Sequence, residues 1–172
     1  RVWLGTAQAA RALGQLDLAE EHLEDLDEAA LSLGQSATVR ELWASILALR
    51  AKLAESQAEA QVAIARYEAA GDGVGVARTR LLMGDVLARG GDREGAIEVF
   101  DRVAEEAAAV DADGIALWAR WWRARCLRAL GRMDAARELR ATLERAAELG
   151  VPVIAGAALR ELGNLALRAG RG

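Results

Sequence analysis

The sequence is poor in the residues that usually announce chemistry. It has one cysteine (Cys126), one histidine (His22) and one proline (Pro152) in 172 residues. A single cysteine excludes an internal disulfide framework and leaves a reducing, cytoplasmic setting as the default. One histidine and one cysteine, far apart, give no zinc-ligand spacing and no nucleophile–base pair. His22 lies in the acidic run Glu20-Glu21-His22-Leu23-Glu24 and is read as a surface residue, Cys126 as a small buried thiol. Aromatics make up only 4% of the chain, and five of the seven are tryptophan. That scarcity disfavours a β-rich fold and a base-stacking surface. No uncharged apolar run approaches the roughly 18 residues of a membrane span. Lysine is almost missing as well: 21 of the 22 basic residues are arginine and only Lys52 is lysine.

What remains is alanine, leucine, valine, arginine and glutamate, a composition that favours helices. Hydrophobic residues reach 53%, and the formal net charge is −4. Short glycine-containing segments recur: Leu13-Gly14-Gln15-Leu16-Asp17, Arg89-Gly90-Gly91-Asp92, Leu130-Gly131-Arg132-Met133-Asp134 and Ala169-Gly170-Arg171-Gly172, with a weaker member at Ala54-Glu55-Ser56-Gln57. Glycine stops a helix in the left-handed conformation and aspartate opens the next one. Taking Gly14, Glu55, Gly91, Gly131 and Gly170 as equivalent gives spacings of 41, 36, 40 and 39 residues. A second set of breaks falls between them, at Gly34-Gln35-Ser36, Gly71-Asp72-Gly73, Asp111-Ala112-Asp113-Gly114 and Gly150-Val151-Pro152. The glycines around Asp72 lack the following Lys-Ser/Thr of a phosphate loop and read as a helix-to-helix turn.

Each repeat is therefore expected to be a pair of helices. First helices are predicted near 1–13, 37–53, 74–89, 113–130 and 152–169, second helices near 15–33, 54–70, 92–109 and 134–149. The repeats run 1–36, 37–73, 74–112, 113–151 and a truncated 152–172, all within one domain. A helix pair cannot bury both its faces alone, so successive pairs are expected to stack.

The third repeat carries a family resemblance. Met83-Gly84-Asp85-Val86-Leu87, then Gly91-Asp92, then Ala96-Ile97-Glu98-Val99-Phe100 resembles the tetratricopeptide-repeat pattern of Leu-Gly-x-x-Tyr followed by Ala-x-x-x-Phe. Leu87 stands where the tyrosine is usual, and Ala108 where a terminal proline is common. Other repeats supply Trp3, Ala19 and Leu23, then Ala124, Gly131 and Ala136, then Leu162-Gly163-Asn164. The period exceeds the family's common 34, and longer units of this kind are similar to those of large bacterial signalling ATPases and LuxR-type transcription regulators. The resemblance implies an all-α, right-handed superhelical solenoid of antiparallel helix pairs, about four and a half repeats long. It also implies that Gly84, Ala124 and Gly163 sit at helix crossings, answered by Ala19, Ala96 and Ala136 on second helices. A chain that opens inside a helical pattern and stops where a second helix is due reads as a fragment of a longer solenoid.

Charge divides sharply by helix type. The first helices carry 14 basic and 4 acidic residues, net +10, whereas the second helices carry 6 basic and 20 acidic residues, net −14. In the family the first helices line the concave groove, so the resemblance implies a basic groove and an acidic back, and a one-signed cleft attracts the opposite charge. Its ligand-facing stripe falls on Arg78, Leu81, Asp85 and Arg89 in the third repeat, on Trp118, Trp121, Arg125 and Arg128 in the fourth, and on Arg160, Asn164 and Arg168 in the fifth. In the first two repeats it falls on Leu4, Gln8 and Arg11 and on Leu42, Ser45, Leu49 and Lys52. Arginine forks match carboxylates, and tryptophan and arginine are frequent binding anchors. The expected partner is an acidic peptide or protein segment. Two plainer readings stand beside this: the arginines can be solvated or paired with neighbouring helices, and Trp118, Trp121 and Trp122, at i, i+3 and i+4, can be core rather than groove. Self-association is an alternative function. Nucleic-acid binding is a further one, disfavoured by the few aromatics and the acidic second helices. Nothing in the sequence calls for catalysis, a cofactor or a metal.

Overall fold

The computed structural model describes residues 2–169, with the side chains of residues 2, 3, 168 and 169 outside that description. Among the described residues the fold is entirely helical. The α-helices are α1 (Val2–Ala12), α2 (Leu16–Glu24), α3 (Leu33–Leu49), α4 (Leu53–Ala70), α5 (Gly73–Arg89), α6 (Arg93–Ala109), α7 (Asp113–Ala129), α8 (Ala135–Glu148) and α9 (Pro152–Ala169). One 3-10 turn, Glu28–Ala30, lies between α2 and α3. The chain forms two compact units, Arg1–Val86 and Leu87–Gly172, whose boundary falls in α5.

Each unit is built by packing consecutive helices on one another. In the first, α1 packs on α2 and α3 on α4, and the first helices α1 and α3 also meet. In the second, α6 packs on α7, α7 on α8 and α8 on α9, and α7 meets α9. Helix pairs are thus formed at α1–α2, α3–α4 and α7–α8, with most boundaries within two residues of expectation.

Two boundaries differ. The second helix expected over 15–33 is broken: α2 ends at Glu24, and α3 begins at Leu33, ahead of the break expected at Gly34-Gln35-Ser36. The cause is a capping box. Ser32 Oγ accepts from the Gln35 amide at 3.3 Å, and Gln35 Oε1 accepts from the Ser32 amide at 3.0 Å. Two otherwise orphaned donors are satisfied there, which fixes the helix start and absorbs Gly34 into its first turn. The second difference is Glu55, which lies in the first turn of α4. The actual turn residue is Ala51, in the left-handed region at φ 59°, where the equivalent positions are Gly14, Gly91 and Gly131. With Ala51 in that role the spacings become 37, 40 and 40, more regular than the sequence suggested.

The core is made largely of methyl groups. Ala7, Ala19, Ala44, Ala60, Ala96, Ala119 and Ala124 are fully enclosed, at 0% exposure. The Ser56 hydroxyl donates to the Ala44 carbonyl at 2.7 Å, so α4 lies against the α3 backbone itself. Gly75 lies as close to Tyr67: a Cβ added there would come within 2.5 Å of the ring. Larger side chains fill the spaces between these approaches, notably Tyr67, Ile46, Phe100, Leu117, Leu139 and Ile154. Gly84 and Ala124 are buried as expected of crossing residues, and Ala19 and Ala96 likewise. Gly163 is not: it is exposed, with nothing within 4 Å of an added Cβ, because no described helix covers that face of α9. On α8 Ala136 is only half-buried, and its neighbour Ala135, at 2%, is the enclosed one of the two.

Close approach makes these positions intolerant of volume. Ala44→Leu is expected to destabilise the protein by roughly 1–3 kcal/mol. Ala58→Leu, at an exposed position of α4, is expected to change stability by less than about 0.5 kcal/mol. Urea denaturation of both variants checks the contrast.

Candidate partner-binding site

Part of the expected stripe is gathered: Arg78 joins a cluster in the first unit, and Trp118, Trp121, Arg125 and Arg128 form one in the second. In the first unit the cluster centres on Tyr67, a buried ring reaching from α4 to α3 and α5. Its hydroxyl donates to Glu41 Oε2 at 2.7 Å and lies 3.0 Å from the Thr38 hydroxyl. Arg78 donates two bonds to Glu41, both 2.6 Å, and a third to the Tyr67 hydroxyl at 3.0 Å. Burial pushes the Tyr67 phenol up to about 12, and Glu41 raises the Arg78 guanidinium above its usual value. Arg11 donates to the Ser45 hydroxyl at 3.1 Å, joining two more stripe residues of α1 and α3.

The other stripe members of this unit lie outside that cluster. Leu42 is buried, Leu4 and Leu81 are half-buried, and Leu49 is exposed. Gln8 is exposed, and Lys52 pairs with Glu55 at 3.7 Å. Asp85 takes part in a further interaction, as does Arg89, which belongs to the second unit.

In the second unit the cluster lies between α7 and α9. Trp118 and Trp121 meet edge to face at 5.2 Å between centroids, and Trp121 and Trp122 at 4.9 Å. Trp122 also stacks on Phe100 at 6.3 Å. One turn further along α7, the Arg125 guanidinium lies 4.8 Å from the Trp121 ring centroid and 4.5 Å from that of Trp122. The quadrupoles of both rings favour a cation there. Arg125 and Arg128 converge on one carboxylate, Glu161 of α9, at 3.6 and 3.2 Å.

The tryptophans are buried to different depths. Trp121, placed toward the groove, is only 6% exposed and packs with Ala124, Leu139, Ala157 and Ala158. Trp122, which the expected stripe leaves out, is half-buried, as is Trp118. Arg160 and Asn164 are exposed on α9, on a different face from Glu161, and Arg168 lies outside the described side chains. The stripe of the fifth repeat is therefore not gathered into the cluster.

Much of the basic charge on first helices is met by acids within the protein. Arg40 pairs with Glu28 and with Glu59 at 3.2 Å, and Arg50 with Asp17 and with Glu20 at 2.8 Å. Arg80 meets Glu68 at 2.8 Å, and Arg123 meets Asp101 at 2.7 Å and Glu138 at 3.2 Å. These partners belong largely to second helices, so opposite signs on alternating helices attract across the helix contacts. Sequence reasoning passed over the carboxylates that matter most, Glu41 and Glu161. The available signal was their rarity: each is one of only four acidic residues on the first helices.

The most connected ion cluster surrounds Glu28, which accepts from Arg40, Arg66 and the Ser36 hydroxyl. The bond from Arg40 is the chief cause that holds its carboxyl down at about 2. Cys126 is buried. Among the described residues, no helix is long and apolar enough to cross a membrane. No protein-family model and no curated protein matches the chain.

Because the Glu28 carboxyl is depressed from 4.5 to about 2, its contribution to stability is present above pH 4.5 and fades as pH falls toward 2. After allowance for its partial exposure, the contribution is about 1 kcal/mol. Glu28→Gln is expected to lower stability by about that amount at pH 7, with the difference from the parent closing near pH 2. Denaturation curves at a series of pH values check it.

Proposed function

We propose that this chain is a protein-interaction module that binds an acidic peptide or protein segment on the first-helix face, rather than an enzyme. The observation that carries this reading is the α7–α9 cluster, where Arg125 and Arg128 converge on a carboxylate beside Trp121 and Trp122. The chemistry suits an acidic residue next to an aromatic or aliphatic anchor: guanidinium forks hold the carboxylate, and indole surfaces supply apolar area. The packing of consecutive helices supports the wider reading of a helical repeat, and its right-handed, tetratricopeptide-like form rests on the sequence resemblance. A place in a larger bacterial regulator, working in the cytoplasm, rests on the resemblance of the repeats alone.

A second reading is self-association through α9. Val153, Leu159 and Leu167 are 69%, 56% and 64% exposed, on the side of the helix where Gly156 and Gly163 are open to approach. Antiparallel packing of two copies about an axis near Leu159 would bring Gly156 of one opposite Gly163 of the other, and small residues allow such closeness. Sedimentation equilibrium separates the readings. A dimer that dissociates on Gly163→Trp supports self-association, and monomers at all concentrations remove it.

For the first reading, titration with an acidic peptide carrying one phenylalanine, followed by tryptophan fluorescence, is the direct experiment. Arg125→Ala is expected to weaken binding by 10-fold or more, the loss of a charge-assisted hydrogen bond worth about 1.5–3 kcal/mol. Arg120→Ala, an exposed first-helix arginine outside the cluster, is expected to have little effect. Equal weakening by both would reduce the interaction to general charge attraction.

A further inference from the structure

We propose that Glu161 is an internal competitor for the carboxylate site: it occupies the Arg125–Arg128 pair in the free protein, and an acidic ligand must displace it to bind. This inference rests on the acidic-ligand reading above and adds a built-in threshold to it.

The two units offer a comparison between two carboxylates held by first-helix arginines. Glu41 is locked. Arg78 gives it two aligned hydrogen bonds of 2.6 Å, and Tyr67 gives it a third of 2.7 Å. Short, charge-assisted bonds of this kind are strong and leave nothing to gain from exchange. Glu161 is held differently. Its distances to Arg125 and Arg128 satisfy an ion pair, yet neither is an aligned hydrogen bond. Nε of Arg125, Nε of Arg128 and Oε2 of Glu161 are each buried without a hydrogen-bond partner, as is Nε1 of Trp121. Four unsatisfied polar atoms in one cluster carry a desolvation cost that better-placed groups would relieve.

Access is one-sided. The Glu161 side chain is 9% exposed, whereas those of Arg125 and Arg128 are 34% and 20% exposed. A carboxylate arriving from solvent therefore meets the guanidinium groups first. Each guanidinium has five donors, and among the described residues none makes an aligned hydrogen bond to either arginine. An incoming bidentate carboxylate can form the aligned pair that Glu161 does not. Arg125 lies against the rings of Trp121 and Trp122, which favour a cation there whichever carboxylate it meets, so the rearrangement is confined to the Glu161 side chain. The sequence fits the role: Glu161 is the only acidic residue of α9, and it faces the arginines rather than solvent.

The test compares the full chain with Glu161→Gln, using fluorescence anisotropy of a labelled peptide of glutamates around one phenylalanine. Helicity and tryptophan emission of the free proteins check that α9 remains docked. Removing the competitor is expected to tighten binding about 10-fold at low ionic strength, about 1.4 kcal/mol. If Glu161→Gln does not fold, Glu161→Asp serves instead, since its shorter side chain reaches the arginines less well; a smaller tightening in the same direction is expected. Binding by the Gln variant alone would uphold the competitor and show that the parent is closed to this peptide. Equal affinity, with Arg125→Ala still weakening the parent, would overturn the competitor and leave the acidic-ligand reading standing. Weaker binding by the Gln variant would also overturn it, by making Glu161 a support of the site. No binding by either protein would remove both.

Discussion

Where helices of this chain meet at full burial, the residue at the contact is repeatedly alanine or glycine, and that closeness constrains the rest of the structure. Ala44, Ala60 and Ala124 have no exposed surface, and Ser56 reaches the backbone of the neighbouring helix directly. Small residues give each pair a single depth of approach, because a methyl group leaves little room for repacking. Large side chains are then confined to the gaps between crossings. Phe100, Leu139 and Tyr67 sit there, and the tryptophans of α7 are forced together on one side of their helix. The same closeness brings α7 near enough to α9 for Arg125 and Arg128 to share Glu161. The candidate site is thus a product of the crossing geometry.

Charge acts on this frame as a second layer. Sequence counts give opposite signs to alternating helices, and the structure turns that opposition inward: Arg40 meets Glu59, Arg50 meets Glu20, and Arg123 meets Asp101 and Glu138. Partly exposed pairs of this sort are each worth less than about 1 kcal/mol. Their combined effect is to favour one register between helices, since a shifted helix would set like charges together. A basic stripe in the sequence is therefore a poor measure of a basic surface. What distinguishes the α7–α9 cluster is the company its charge keeps: two indole rings, two guanidinium groups and a carboxylate without aligned bonds.

The repeat of helix and turn was legible because it rests on local rules. Gly14, Gly71, Gly91, Gly131 and Gly150 all take positive φ, as stop signals should. Ala51 escaped notice because alanine rarely occupies that region, and the α3 start was misplaced because Gly34 looked a stronger signal than the Ser32–Gln35 box. The site was legible in part. Arg125 and Arg128 follow from their spacing on one helix, but the carboxylate that joins them lies on another helix, and the pattern within α7 does not say which residue of α9 faces them. Trp121 and Trp122 could not be separated by spacing alone, since adjacent residues differ by only 100° around a helix. Which of them is buried is decided by Leu139 and Ala157, on helices the pattern could not orient.

The central claim is that Arg125 and Arg128 exchange Glu161 for a ligand carboxylate, while Arg78 and Arg40 stay committed to Glu41, Glu28 and Glu59. The most direct measurement is heteronuclear NMR of the arginine Nε–H groups during titration with the acidic peptide. The account predicts that the signals of Arg125 and Arg128 move with saturation, while those of Arg78 and Arg40 stay in place. Uniform shifts across all four, or movement of Arg78 and Arg40 with Arg125 unmoved, would contradict it.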